Sequence, residues 1–405
     1  MKQERAFPAV VIDRRGAKRA KDGHPWVFDN EIIETRGEPI DGEICDVLSD
    51  KGRFLGAGFF NSHSKIRVRI LSQNANDTFD EAFFRRRLQY AWGYRKTVMR
   101  GEDSFRVIFG EADRFPGLTV DKFGDILVAQ TLSLGIERRK EFLFPALVEL
   151  LEQDGCKISG LFERNDVKIR ELEGLDQNKG FFPLPGKPVP EQTVTEISEN
   201  GISYLVDFEN GQKTGFFLDQ KYNRAAAARL APGRTVLDCF THTGSFGLNC
   251  AKAGAKSVLS VDISESAIAC AKDNCARNGL TEIVSYQTAN VFDLLPTLPQ
   301  GSFDYIILDP PAFTKSGKTV HSAERGYKEI NYRAMKTLPR GGYLATCSCS
   351  HFMTDALFRQ MLQSAARDAQ VELRLIEARA QGPDHPVLWN VPETDYLKFY
   401  LFQIV

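Results

Sequence analysis

Val236-Leu237-Asp238-Cys239-Phe240-Thr241-His242-Thr243-Gly244-Ser245-Phe246-Gly247 is an apolar run that closes on an acidic residue and breaks into a turn of small residues. The pattern predicts a strand, a loop and the first turn of a helix. Strand-like and helix-like segments then alternate. Thr235 to Phe240, Ser257 to Ile263, Phe303 to Asp309 and Gly342 to Cys349 read as strands, each followed by a helix, the clearest over Ser264 to Asn278 and Thr354 to Ala369. A βαβ series of this kind predicts a doubly wound, mostly parallel sheet. The aromatic run from Asp395 to Val405 suits a last strand pairing antiparallel in the same sheet.

In such a sheet ligands bind beyond the carboxyl ends of the strands, where the strand order reverses. The loop holds Gly244-x-x-Gly247 but lacks the full G-x-G-x-x-G spacing, so a dinucleotide pyrophosphate is poorly matched. A ligand with a cationic amino-acid tail suits Asp238 better. Asp262, at the end of the second strand, suits a pair of ribose hydroxyls, and Asn290, in Thr288-Ala289-Asn290-Val291-Phe292-Asp293, suits an adenine ring.

Upstream the texture differs. Ala9 to Ile12, Gly42 to Val47, Phe54 to Phe60 and Ile66 to Leu71 are short β-type runs between turns, as in a small β-barrel. Between the first two lies Arg14-Arg15-Gly16-Ala17-Lys18-Arg19-Ala20-Lys21, five cations within eight residues, leading into Gly23-His24-Pro25-Trp26-Val27-Phe28. Cations beside aromatics are what RNA phosphates and unstacked bases require, which makes Arg14, Arg15, Lys18, Arg19, Lys21, His24 and Trp26 the candidate RNA contacts. The same run also reads as a solvated helix end over a core tryptophan. Helical stretches (Phe79 to Arg100, Glu137 to Glu152) alternating with strands (Phe105 to Phe109, Ile126 to Gln130, Gly160 to Glu163) predict a second α/β module, closed by the proline-rich Phe182 to Pro190. At 405 residues, more than one core is expected. The expected domains are 1–75, 76–195 and 196–405.

Composition removes other classes. Hydrophobic residues at 42% and charged residues at 26% are ordinary for a globular protein, and no stretch nears the roughly 20 apolar residues of a membrane span. Met1-Lys2-Gln3-Glu4-Arg5 does not open a secretory signal, so a cytoplasmic protein without membrane attachment is expected. Eight dispersed cysteines read as reduced thiols. Without a Cys-x-x-Cys pair or matching histidines, no metal site is expected. A net charge of −1 argues against blanket attachment to nucleic acid, leaving any RNA contact to local charge.

The loop together with Asp262 and Asn290 resembles the class I S-adenosylmethionine-dependent methyltransferases. Gly211-Gln212-Lys213-Thr214-Gly215-Phe216-Phe217-Leu218-Asp219-Gln220 is similar to the segment ahead of the first strand in bacterial RlmI-like large-subunit rRNA methyltransferases. Gly23 to Phe28 is similar to their PUA domain, and Gly117-Leu118-Thr119-Val120-Asp121 to their central domain. The resemblance implies an α/β protein with a PUA RNA-binding domain, a central α/β domain and a Rossmann-like methyltransferase domain. It implies S-adenosyl-L-methionine as cofactor and 23S rRNA as partner, and leaves a homodimer open. The implied cofactor-binding set is Asp219, Gln220, Asp238, Phe240, Thr243, Gly244, Asp262, Ile263, Asn290, Val291 and Asp309. Asn290 departs from the aspartate of many methyltransferases but still offers a donor and an acceptor.

Two segments carry the expected chemistry. Asp309-Pro310-Pro311-Ala312-Phe313 is a stiff turn at the end of the fourth strand, similar to one used by amino-methylating enzymes. The fifth strand ends Thr346-Cys347-Ser348-Cys349-Ser350-His351. Methylation at carbon 5 of a pyrimidine requires prior addition of a nucleophile to carbon 6, and a thiolate serves. Resemblance to RNA cytosine-5 methyltransferases places that nucleophile at Cys349, before Ser350, with Cys347 deeper on the same face. Pro311-Ala312 lacks the second cysteine common in those enzymes, so adduct release would fall to Asp309 or a water. His351 reads as an ordinary loop histidine. The expected catalytic residues are Cys349 and Asp309, for cytosine-5 methylation of 23S rRNA. The alternatives are another base position, such as guanine N7, and a non-catalytic RNA-binding assembly factor.

Overall fold

The segment around Asp238 forms the strand Thr235–Cys239 in the interior of a seven-stranded sheet. The strand order is Val284–Thr288, Ser257–Asp262, Thr235–Cys239, Tyr305–Leu308, Tyr343–Ser348, Lys398–Ile404, Leu373–Arg379. The first five pair in parallel, and Lys398–Ile404 runs antiparallel to both its neighbours. The order reverses between Thr235–Cys239 and Tyr305–Leu308, which puts the ligand crevice at the loops following those two strands. The expected antiparallel last strand is present. Leu373–Arg379 is an additional edge strand.

Local sequence explains the helices that position these loops. Ser264 accepts a hydrogen bond from Ala267 N to start Glu265–Arg277, and Thr354 does the same from Leu357 N for Asp355–Ala369. Leu237, Ile306, Leu308 and Leu344 pack against Tyr327, Phe358 and Met361 in a core whose members are almost wholly buried. Each such side chain contributes about 1.5 to 3 kcal/mol relative to exposure, which fixes the strand ends firmly.

In this computed structural model residues 5–314 and 316–405 are described. Met1–Glu4, on which the secretory-signal reading rests in part, lie outside them. The chain forms two units. One comprises Met1–Ile197, Val206–Leu218 and Pro383–Thr394, and the other Ser198–Leu205, Asp219–Gly382 and Asp395–Val405. The spans 1–75 and 76–195 both lie within the first unit, which also takes two short segments of 196–405.

That first unit holds a six-stranded sheet in the order Trp26–Phe28, Ile66–Ser72, Phe54–Phe60, Ile44–Ser49, Ala9–Ile12, Ile32–Arg36. Val10, Ile12, Val47 and Val68 pack there against Ala17 and Ala20, the apolar side of the helix Arg14–Lys21. A five-stranded sheet follows, in the order Lys179–Phe182, Gly160–Arg164, Ile126–Thr131, Leu118–Phe123, Phe105–Phe109. Among the described residues no helix is long and apolar enough to cross a membrane.

Candidate active site

The loop after Thr235–Cys239 turns sharply, with Phe240, His242 and Gly244 at φ of 63°, 50° and 81°. Non-glycine residues hold such angles only where their surroundings over-determine them. Here the surroundings do so: Thr241 N donates to Val261 O at 3.0 Å and His242 N to Asp262 Oδ2 at 3.0 Å. Gly247 is required as well, because a Cβ there would lie 2.5 Å from Ser260 Oγ and 2.9 Å from Asp238 Oδ2.

Asp238 Oδ2 accepts from Thr241 Oγ1 and from Gly247 N, whereas buried Oδ1 has no partner among the described residues. Burial pushes this carboxyl up to about 7, and the negative charge of Asp309 adds to the rise. A buried acceptor with no partner calls for a donor from a ligand, and a cationic one best offsets the desolvated charge. Asp262 is half-buried. Its two oxygens accept from His242 N and Ser264 N, leaving lone pairs on each for two hydroxyls. Asn290 caps the helix Val291–Leu294 by accepting from Phe292 N at 3.0 Å, so its amide NH2 is the part left to meet a ring acceptor. Thr243 Oγ1 is buried without a partner among the described residues, Ile263 is 69% exposed, and Val291 is buried. These acceptors and the Asn290 amide fit an amino-acid tail, a ribose diol and a purine in succession.

Cys239 and Leu308 are register partners, which brings Asp309 beside Phe240 at the crevice. Gln220 Nε2 donates to Asp309 Oδ1 at 2.9 Å, and Asn223 Nδ2 holds Gln220 Oε1 at 2.7 Å. Asp219 accepts from Tyr396 OH. Both residues lie on the turn Leu218–Gln220 ahead of the helix Lys221–Ala228. The resemblance-derived pair therefore touches the fourth-strand carboxylate through Gln220 and anchors the C-terminal segment through Asp219.

The two strand-end cysteines are in different environments. Cys347 lies inside Tyr343–Ser348 with no exposure, and burial, with Asp309 adding, holds its thiol well above the usual range. Cys349 stands just past the strand, half-buried, with Sγ 3.9 Å from Pro310 O. Ser350 Oγ donates to Thr314 O at 3.0 Å, fastening the turn after Asp309 to the thiol segment.

The sequence reading missed Lys398. Its Nζ donates to Ser350 O at 2.6 Å and Tyr396 O at 2.8 Å. Burial pushes the ammonium down to about 8, opposed by Cys349, Asp395 and Asp355. One lysine in the apolar run Tyr396 to Phe402 was the available signal.

Of the candidate RNA contacts, Arg14, Arg15, Lys18 and Lys21 are exposed on the helix Arg14–Lys21. Arg19 pairs with Glu31 at 2.8 Å and donates to Trp26 O, Trp26 Nε1 donates to Glu111 at 2.9 Å, and His24 meets Glu393 at 3.2 Å. Among the described residues no cluster of histidine, cysteine or acidic groups could hold a metal ion.

A sheet of this order, with an acidic residue in the last two positions of each of its first two strands in sequence, is that of a class I S-adenosylmethionine-dependent methyltransferase. The chain belongs to that family: a family model described as S-adenosylmethionine-dependent methyltransferase matches residues 183–403, and one described as a PUA-like domain matches 10–73. S-adenosylmethionine is its cofactor. Relatives include ribosomal RNA large subunit methyltransferase I of Shewanella denitrificans, 43% identical over 93% of this chain and 94% of that one. The same-named protein of Aeromonas salmonicida is 39% identical over the same shares. A solved structure described as a SAM-dependent methyltransferase from Streptococcus mutans has a TM-score of 0.80 at 21% identity, covering 98% of this chain and 99% of that chain. Another methyltransferase, solved with SAH, has a TM-score of 0.81 at 21% identity and the same coverage.

Proposed function

We propose that this protein methylates carbon 5 of a cytosine in 23S rRNA, in the cytoplasm, with Cys349 as nucleophile. The observation that carries the reading is the half-buried Cys349 thiol facing the Asp309–Pro310 turn, on the strand end next to the cofactor crevice. The names of the relatives support the RNA class. S-adenosylmethionine supplies an electrophilic methyl group when bound. The residues of the chain do the rest. Asp238 would take the ammonium of the amino-acid tail, Asp262 the ribose diol and Asn290 the adenine, with Phe240, Thr243, Gly244, Ile263 and Val291 shaping the walls. The Cys349 thiolate adds to carbon 6 and makes carbon 5 nucleophilic. After carbon 5 is methylated, its proton must leave before the carbon–sulfur bond breaks. Asp309, oriented by Gln220, or a water it holds, accepts that proton.

The test is RNA carrying 5-fluorocytosine. Fluorine cannot leave as a proton, so the adduct persists and should appear as a shifted band of enzyme, cofactor and labelled 23S RNA on a denaturing gel. Methylation with no trapped adduct, and at a position other than carbon 5, would move the assignment to direct attack by another base atom such as guanine N7.

Lys398 then serves the nucleophile, since an ammonium next to a thiol favours the thiolate. Its own value of about 8 leaves it largely charged at neutral pH. Lys398→Met is expected to move the acid limb of the rate–pH profile up by about one unit or more, with much of the rate recovered at high pH. A proportional loss at every pH would make Lys398 merely structural.

Asp238 gives a second pH signature. Free Asp238 is protonated below about 7, so a ligand ammonium must displace that proton. Affinity for S-adenosylhomocysteine should therefore fall by up to about tenfold per pH unit from 7 towards 5 and level off above 7. Calorimetry in buffers of different ionisation enthalpy should show proton release below 7, and a flat affinity over that range would contradict the role.

A further inference from the structure

Trp389 is 95% exposed, whereas Trp92 is buried and Trp26 half-buried, each with its indole N–H on a carboxylate. The loop that carries Trp389 is well tied. Val391, which is buried, donates from N to Leu388 O at 2.7 Å, and Leu388 N donates to Thr394 Oγ1 at 2.9 Å. The segment Pro383–Thr394 belongs to the same unit as the cationic helix Arg14–Lys21. It is fastened to the C-terminal end of that helix: Asn390 Nδ2 donates to Asp22 O at 3.2 Å, and Glu393 is taken up by His24. The loop that carries the indole is thus fastened to the chain at Asp22 and His24, directly after Lys21. Arg15, Lys18 and Lys21 are exposed and form no ion pair among the described residues.

We propose that Trp389 is a stacking platform for one unpaired base of the RNA substrate, whose phosphates lie against Lys18 and Lys21. The inference rests on the RNA reading above and adds a binding site to it. A flat ring held out in water next to unpaired cations matches single-stranded RNA, which offers a π-face and a phosphate at every nucleotide. A protein partner would call for a contiguous apolar patch, whereas the large apolar side chains exposed on this loop are Trp389 and, at 40%, Val387, and Arg15, Lys18 and Lys21 are exposed on the helix it is tied to.

The test uses the full-length protein and 23S rRNA transcribed in vitro. Binding is followed by filter retention and by tryptophan fluorescence. Wild-type fluorescence should be quenched by the RNA. Trp389→Ala should lose most of that quench and bind about 5- to 100-fold more weakly, with Trp389→Phe intermediate. The ratio of wild-type to Trp389→Ala affinity should barely change with salt, whereas Lys18→Ala with Lys21→Ala should flatten the salt dependence. Unchanged S-adenosylhomocysteine affinity and melting temperature would show that Trp389→Ala is folded. Salt-dependent RNA binding that is equal for wild type and Trp389→Ala overturns the stacking role and leaves the RNA reading standing. A wild-type protein that neither binds nor methylates 23S RNA overturns both. Quenching by anionic vesicles or by ribosomal protein, but not by RNA, overturns the stacking role in favour of that other partner.

Discussion

Replacing Cys349 with alanine is expected to reduce methyl transfer by roughly 10⁴-fold or more, since in the proposed mechanism it removes an obligatory nucleophile and leaves only binding and orientation. Affinity for S-adenosylhomocysteine and for 23S RNA should stay within about twofold of wild type, because the proposed cofactor contacts come from other strand ends and the cation cluster from the other unit. Cys347→Ala should retain most activity and lose about 1 kcal/mol of stability through the small cavity it leaves. The contrast follows from burial. The Cys347 thiol is shut inside the sheet and held protonated, whereas Cys349 is past the strand end, facing the Asp309–Pro310 turn. Initial rates with tritiated cofactor, together with the fluorocytosine gel, measure both. Full activity in Cys349→Ala would remove the covalent mechanism.

Much of the methyltransferase sheet was legible because its strands are short apolar runs closed by polar residues. Asp238 and Asp262 stand out against Val236-Leu237 and Val258-Leu259 for that reason. The contacts between strand ends were less legible. Gln220 meets Asp309 across 89 residues, and Lys398 meets Ser350 across 48. Both pairings arise only when the sheet closes, and no local pattern encodes them. Lys398 in addition sits in a strand whose aromatic content suggests packing alone. Two of the missed strands share a different cause. Ile32–Arg36 and Leu373–Arg379 are sheet edges, so their mixed Ile, Glu, Arg and Leu residues face water and show little alternation. Trp389 lies in an irregular loop where periodicity says nothing, and only its exposure singles it out.

Cofactor binding should depend most heavily on Asp262. A carboxylate shared between two ribose hydroxyls makes charge-assisted hydrogen bonds of about 1.5 to 3 kcal/mol each, so Asp262→Ala should weaken S-adenosylhomocysteine binding by roughly 10² to 10⁴-fold. The same carboxylate also receives His242 N and Ser264 N at 3.0 Å, so alanine frees the loop that holds His242 at positive φ. Part of the loss would then come from a cofactor loop no longer set in advance. Asp262→Asn separates the two contributions. It keeps one carbonyl oxygen for a loop N–H or a hydroxyl, but its NH2 faces a donor where an acceptor is needed, so it should lie between alanine and wild type. Thermal melting gives the readout. Saturating ligand at about 100 times the dissociation constant adds about 2.7 kcal/mol to the wild-type stability, and that increment should vanish for Asp262→Ala at the same concentration. The melting temperature without ligand should fall by only a few degrees, since Asp262 is half-exposed and the core behind it is unchanged. A ligand-induced shift equal to that of wild type would mean that the ribose is held elsewhere in the crevice.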